Sequence, residues 1–284
     1  MATLKQIRRR IRSVQSTMQI TKAMEMVAAA KLRRVQGRAL ATRPYVIAMQ
    51  ESLARAVEAA PAGCHPLLEP RPTPRRVLVG VIASDKGLCG SFNTHILSEA
   101  ERHIQGLGPL EVARFPIGRR ACRYFEYRHS AAWRAVDHLG DQLDLDLVRE
   151  IAGRVMNAFI TGEVDRVEFV HYRFISTARR EVVVDPLVPL APADSAGGGR
   201  QYIFEPDAQR VLGTLVPRFI TTRVLSMLAD SLAAEHSARM MAMGNATRNA
   251  QEMIDALTLS ANKLRQATIT RELIDIVGGT AGME

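Results

Sequence analysis

The sequence predicts an α/β protein joined to a coiled coil: long antiparallel N- and C-terminal helices with a central Rossmann-like α/β domain. Three observations carry this expectation. Apolar residues near the N-terminus recur at alternating three- and four-residue steps. The same spacing returns near the C-terminus. Between the two, short apolar runs alternate with helical patterns, as in parallel strands joined by helices.

The N-terminal seam is Leu4, Ile7, Ile11, Val14, Met18, then Ala28, Leu32, Val35 and Ala39. Such a repeat marks a left-handed coiled coil. Thr21 and Glu25 fill the two seam positions between Met18 and Ala28. Polar groups there lower stability but fix register or meet a partner. The helix is expected from about Thr3 to Ala60, roughly 80 Å long, with Pro44 kinking or breaking it. Pro61, Gly63, Pro66, Pro70, Pro72 and Pro74 then make residues 61–75 a linker.

The period then changes. VLVGVIA (77–83) is short and wholly apolar, and reads as a buried strand. LEVARFPI (110–117), VDRVEFVHYRFI (164–175) and EVVVDPLVPL (181–190) read as three more, the last two close enough to form a hairpin. Helices are expected over 93–105, 118–128 and 144–161, giving a largely parallel sheet. APADSAGGGR (191–200) reads as a flexible loop.

The last helix is expected from Pro206 to about Val277, with Gly278 and Gly279 ending it. Its seam includes Leu225, Leu228, Leu232, Ile254, Leu257, Ala261 and Leu264. Neither long helix can bury its seam alone, so the two are expected to pair. Gly244 inside the last helix costs about 1 kcal/mol against Ala, and nothing in the sequence explains it. The expected division is a coiled-coil helix over 1–60, the Pro-rich linker over 61–75, the α/β domain over 76–200 and a second coiled-coil helix over 201–284.

The net charge is +9, and its position matters more than its size. Residues 1–43 carry eleven Lys and Arg against one acid, Glu25, while 206–284 carry eight basic and eight acidic residues. A basic first helix suggests an acidic partner: nucleic acid, anionic lipid or an acidic protein loop. No run reaches 18 consecutive apolar residues, so no membrane span is expected. MATLKQIRRRIRSVQ lacks an apolar signal core, so the expected compartment is the cytoplasm.

Chemistry-bearing patterns are scarce. Cys64, Cys89 and Cys122 have no paired spacing, which argues against a disulfide framework or a metal site. The histidines show no metal spacing, and no Ser-His-Asp set assembles. SDKGLCG (84–90) puts glycines between a strand and a helix, but GxxxxGK[ST] and GxGxxG occur nowhere in the chain. No catalytic residue, cofactor or metal is expected.

ITKAMEMVAAAKLRR (20–34) resembles the N-terminal signature of ATP synthase gamma subunits. EHSARMMAMGNATRNAQEMIDALTLSANKLRQATITRELIDIVGG (235–279) resembles their C-terminal run. SDKGLCGSFN (84–93) is similar to the family's central motif, and IGRR, GEVDRV, YRFIS and YIFEP follow in the family's order. The resemblance implies the central rotor shaft of an F-type ATP synthase of bacterial type, without catalytic site or cofactor. It implies a coiled coil standing inside three alpha and three beta subunits. It also implies a foot that sits, with the epsilon subunit, on a ring of c subunits. Such a chain would couple ion flow through the c-ring to ATP synthesis or hydrolysis, bind no nucleic acid, and lie peripherally on the cytoplasmic face of the bacterial cell membrane. The family's plastid members carry a redox-regulated cysteine pair in an insertion absent here, so thiol control is not expected.

The resemblance also marks residues. Met24 matches the KAMEM position near an acidic loop of beta, and Arg239 matches the family's ARM motif. Arg265 and Gln266 match NKxRQ, and Thr270 and Glu272 match ITxEL, with Arg271 where many relatives carry Gln. These six are candidates for the rotor–stator contact or its supporting hydrogen bonds; Lys22, Lys31, Arg33 and Arg34 are weaker ones. Read from the residues alone, Met24 is equally a helix-packing methionine and the charged ones a solvated face. Ile269, Leu273, Ile276 and Val277 face either an apolar sleeve or the first helix. The alternative function is a basic coiled-coil nucleic-acid-binding protein, motivated by Arg8–Arg12.

Overall fold

A computed structural model describes residues 3–61, 63–128, 132–190, 204–205 and 207–281, without the side chains of 38–43, 45, 271–272 and 274–281. The two long helices are α1 (Leu4–Ala59) and α5 (Ala208–Ala281). Between them run a 3-10 turn (Pro66–Leu68), β1 (Arg76–Ile82), α2 (Phe92–Gly106), β2 (Glu111–Ile117), α3 (Arg119–Tyr127), α4 (Leu145–Ile160), β3 (Arg166–Phe174) and β4 (Arg180–Val188). The expected loop over 191–200 lies outside the described residues. The chain divides into two compact units, one of Met1–Ala28 with Arg239–Glu284 and one of Ala29–Ala238.

The first unit is an antiparallel helix pair. Thr247 Oγ1 donates to Thr21 Oγ1 at 2.9 Å, and one turn further along α1 Glu25 lies beside Gly244 of α5. Ile7 is buried on the α1 side, and Leu4, Ile11, Val14, Met18, Thr21 and Glu25 are half-buried. Opposite them, Ala250, Ile254 and Ala261 are buried and Leu257 and Leu264 half-buried. The three-four spacing is therefore the contact seam.

The second unit holds a four-stranded sheet of order β2-β1-β3-β4. β1 pairs in parallel with β2 and β3, and β3 with β4 form the expected antiparallel hairpin. After the exposed Arg76, β1 is apolar and buried because both of its faces are covered. One face carries a core in which Val77, Val79 and Val81 meet Phe92, Ile96 and Ala100 of α2, Ala121 and Phe125 of α3, and Ala234 of α5. The other face is covered by α4, with Ile151, Val155 and Phe159 buried. Phe92 stacks on Tyr172 of β3 at 4.4 Å between ring centroids. Tyr172 also donates its hydroxyl to Phe92 O at 3.1 Å. α5 joins this core, its Ser231 accepting from Tyr172 N at 3.3 Å.

Residues 231–239 of α5 are buried without interruption. A helix apolar on one stripe would leave several of these exposed, so this stretch is enclosed on all sides. It is enclosed although Ser231, Glu235, His236, Ser237 and Arg239 are polar. Within Ala208–Thr270 of α5 an 18-residue window has mean hydropathy 1.3, so by length and composition this helix could cross a membrane although it holds no unbroken apolar run of that length.

α1 is not broken at Pro44, and the expected stop of α5 at Gly278 and Gly279 fails. α1 runs through Pro44 as one element. Pro44 is exposed, so water can bond the carbonyl that loses its donor. α5 likewise continues through Gly278 and Gly279 to Ala281. Glycine permits a stop, but a stop also needs the left-handed capping turn.

Gly118, between β2 and α3, has φ +93, and a Cβ there would lie 2.1 Å from Ala83 O. No rotamer relieves a clash between backbone groups. Gly118→Ala is expected to destabilise the full chain by about 3 kcal/mol or more, read as a lowered urea midpoint.

Candidate functional site

With the seam filled, the first unit still presents apolar side chains outward. Ile20, Met26 and Val27 on α1 are each more than half exposed, as are Met253, Leu259 and Leu273 on α5. Ile269 is nearly so. At about 3.6 residues per turn Ile20 and Val27 share one face of α1, and Leu259, Ile269 and Leu273 one face of α5; exposed apolar side chains so aligned mark a contact surface. Nearer the start of α1, Arg8, Arg9, Arg10 and Arg12 are all exposed.

The six candidates separate on this surface. Arg265, Gln266 and Thr270 are exposed within little more than one turn of α5. The Thr270 hydroxyl donates back to Gln266 O at 2.9 Å, so its proton is held inside the helix. Arg239, about seven turns earlier, is buried. Met24 is half-buried beside the seam. The side chain of Glu272 lies outside the described residues. Sequence reading overlooked Ile20, Met26 and Val27; the available signal was apolar residues falling off the seam.

Seam chemistry at Thr21 and Glu25 now has a structural account. Glu25 is held by Lys22 at 3.1 Å. Gly244 removes a side chain at that level: an added Cβ would lie 3.4 Å from Glu25 Oε1. A methyl group would fit there at ordinary van der Waals distance, whereas a larger side chain would meet the seam carboxylate.

In the second unit the loop after β1 lies at the carboxyl end of the parallel strands, where such sheets bind ligands. Its polar groups are committed to the protein instead. Asp85 accepts from Arg119 N at 3.1 Å and Gly140 N at 2.9 Å, and its carboxylate pairs with His138 Nδ1 at 2.8 Å. Ser84 Oγ donates to Lys86 O at 2.6 Å, and Ser84 N to Asn93 Oδ1 at 3.1 Å. Lys86 reaches Asp141 at 3.0 Å, and Lys31 of α1 reaches the same carboxylate at 2.8 Å. Lys31, helped by Lys86 and opposed by burial, holds the Asp141 carboxyl down at about 2. Burial, reinforced by Asp137, pushes the Cys122 thiol up to about 12. The reactive thiolate is therefore negligible at neutral pH.

Residues 3–283 match the family model for ATP synthase. The ATP synthase gamma chain of Pelotomaculum thermopropionicum is 41% identical over 286 residues, covering 100% of both chains. That of Chloroherpeton thalassium is 39% identical over 301 residues, covering 100% of this chain and 99% of the relative. The chain belongs to the ATP synthase gamma chains. It is a non-catalytic rotor subunit, the central stalk of an F-type ATP synthase.

Two solved structures share the fold. A chain of the Euglena gracilis mitochondrial ATP synthase, described as OSCP/F1/c-ring in rotational state 3, superimposes with TM-score 0.66. It is 19% identical and covers 99% of this chain and 94% of its own. One from the Tetrahymena thermophila mitochondrial enzyme, central stalk/c-ring, gives TM-score 0.62 at 22% identity, covering 80% and 99%. For the gamma chain, the Asp85 hydrogen bonds and the Asp141 ion pairs read as scaffold: they tie the central sheet's loops together and fasten them to α1.

The depressed Asp141 carboxyl stabilises the fold fully above its unfolded value of 3.8 and loses that contribution as pH falls towards about 2. Because the group is partly exposed, solvent screening limits its worth to about 1 kcal/mol or less. Asp141→Asn is expected to lower stability by that amount at pH 7, and the gap from wild type to narrow between pH ~4 and ~2. Urea titrations at several pH values read it. Gly244→Ala is expected to gain up to about 1 kcal/mol of helix propensity, raising the melting temperature. Gly244→Leu is expected to lose about 1–3 kcal/mol by displacing Glu25.

Proposed function

We propose that this gamma chain turns inside three alpha and three beta subunits and sits, with an epsilon subunit, on a ring of c subunits. The expected place is the cytoplasmic face of a bacterial cell membrane, where the chain is peripheral. It couples ion flow through the c-ring to ATP synthesis or hydrolysis. The full-length match to bacterial gamma chains carries this reading. The structural neighbours named for central stalk, F1 and c-ring support it.

The mechanism needs a surface whose contacts differ among rotational states, since equal contact in every state shifts no equilibrium. The outward aliphatic groups of α1 and α5 supply low-specificity contact, and the charged groups supply the angular asymmetry. In this reading Arg265, Gln266, Thr270 and Glu272 meet the stator near the end of α5. Met24 lies by an acidic loop of beta, and Arg239 supports the contact from within the helix pair. The basic α1 faces acidic loops of the beta subunits. Lys31–Asp141–Lys86 passes torque between the central domain and α1.

The test is a purification followed by a truncation. Gentle solubilisation of the native membrane should bring down alpha and beta subunits with the chain; their absence sinks the reading. Ending the chain after Leu264 should cut ATP-driven ion pumping several-fold, or prevent assembly, while the unit of Ala29–Ala238 keeps its sheet by circular dichroism. Pumping that matches the full-length chain would remove the C-terminal contacts from the mechanism.

A further inference from the structure

The outer surfaces of α2 and α3 enclose an open groove of about 800 Å³ in the second unit. Four arginines line it, Arg102, Arg120, Arg123 and Arg128, against one acid, Glu101. Arg102 is neutralised by Glu99 at 2.7 Å, and Arg128 approaches Glu101 at 3.8 Å while lying over the Tyr124 ring. Arg120 and Arg123 have no ion pair among the described residues, and both are exposed.

Arg120 lies in the first turn of α3, whose N-terminus is met by the Asp85 carboxylate at Arg119 N, and Arg123 lies one turn on. The first turn of α3 contains no acid, and its cap makes no side-chain hydrogen bond. A cation in the first turn opposes the macrodipole, so Arg120 adds nothing to the stability of α3 and is free to serve a contact. Tyr127, one turn beyond Arg123 on the same stripe, is 87% exposed. Arginine and tyrosine are the residues that dominate protein interfaces. Leu97 and Tyr124 supply an apolar floor.

We propose that this groove docks an acidic, partly aliphatic segment of another subunit of the same complex. Charge decides the class: two unmatched guanidiniums call for carboxylates, and the aromatic floor calls for apolar side chains between them. Shape decides the form. The stripe on α3 runs at i, i+3 and i+7 along a helix of 9 residues, roughly 13 Å. A helical segment of about two to three turns laid between α2 and α3 matches that length; a small anion would leave most of it empty. The inference rests on the central-stalk reading, which supplies the other subunits.

The test uses the assembled complex with a benzophenone amino acid replacing Tyr127. Irradiation should give one main adduct, mapped by mass spectrometry to an acidic segment of another subunit. Its yield should fall about tenfold between 0.05 and 0.5 M salt as the guanidiniums are screened. Arg120→Glu with Arg123→Glu should remove the adduct at least tenfold while the chain keeps its circular dichroism. Should that pair disturb folding, Arg123→Gln and the salt series on the otherwise wild-type chain decide alone. An intact complex that gives no inter-subunit adduct, or adducts to lipid or RNA, overturns the groove and spares the stalk reading. A yield indifferent to salt and charge does the same. A chain that purifies without alpha and beta overturns both.

Discussion

Two helices that each carry an apolar seam and too little surface to bury it must pair, and most of this gamma chain is organised by that constraint. A buried Leu or Ile side chain contributes about 1.5–3 kcal/mol, and a seam repeated over many turns makes an unpaired α1 or α5 untenable in water. Antiparallel pairing answers this with the two ends of the chain. Along the chain, the strands of the central domain lie between α1 and α5. α5 completes the arrangement by entering the sheet's own core at Ala234.

The polar interruption of the seam is where this economy is relaxed. Thr21 meets Thr247, and Glu25 meets the space left by Gly244. A helix pair optimised for stability alone would place aliphatic residues at all four positions. Polar groups on a seam select one register, because a shift of one turn would set Glu25 against a side chain in place of a glycine. Register matters for a part that transmits rotation, since a pair able to slip would dissipate torque in sliding.

The seam, the strands and the hairpin were legible because each rests on local periodicity. Seam positions such as Ile7 and Leu32 are buried as their spacing requires, and β3 with β4 pairs as two close apolar runs should. What was not legible depends on partners distant in sequence. Glu235, His236 and Ser237 read as polar helix positions, yet all are buried because sheet and helices surround that stretch of α5. Gly244 had no meaning until Glu25 was placed against it. Pro44 and Gly278 mislead in the opposite direction: they weaken a helix locally, but local weakness ends a helix only where nothing else continues it. The candidate contact residues came from family resemblance, whereas Ile20, Met26 and Val27 emerge from exposure, which no periodicity reports directly.

The loop after β1 shows why the domain that looks most like an enzyme serves as scaffold. A phosphate-binding loop presents backbone N–H groups to the outside and keeps its side chains clear of them. Here Asp85 turns inward and draws N–H groups from 119 and 140 onto its own carboxylate. That carboxylate occupies the role a bound phosphate would play, and it brings its negative charge with it. An incoming anion would have to displace Asp85 from several charge-assisted hydrogen bonds and expose a buried carboxylate. The same contacts fix the segment that carries Asp141, and Asp141 fastens it to Lys31 of α1. Thus the features that close the sheet's usual ligand site also order the segment whose Asp141 ties it to Lys31 of α1.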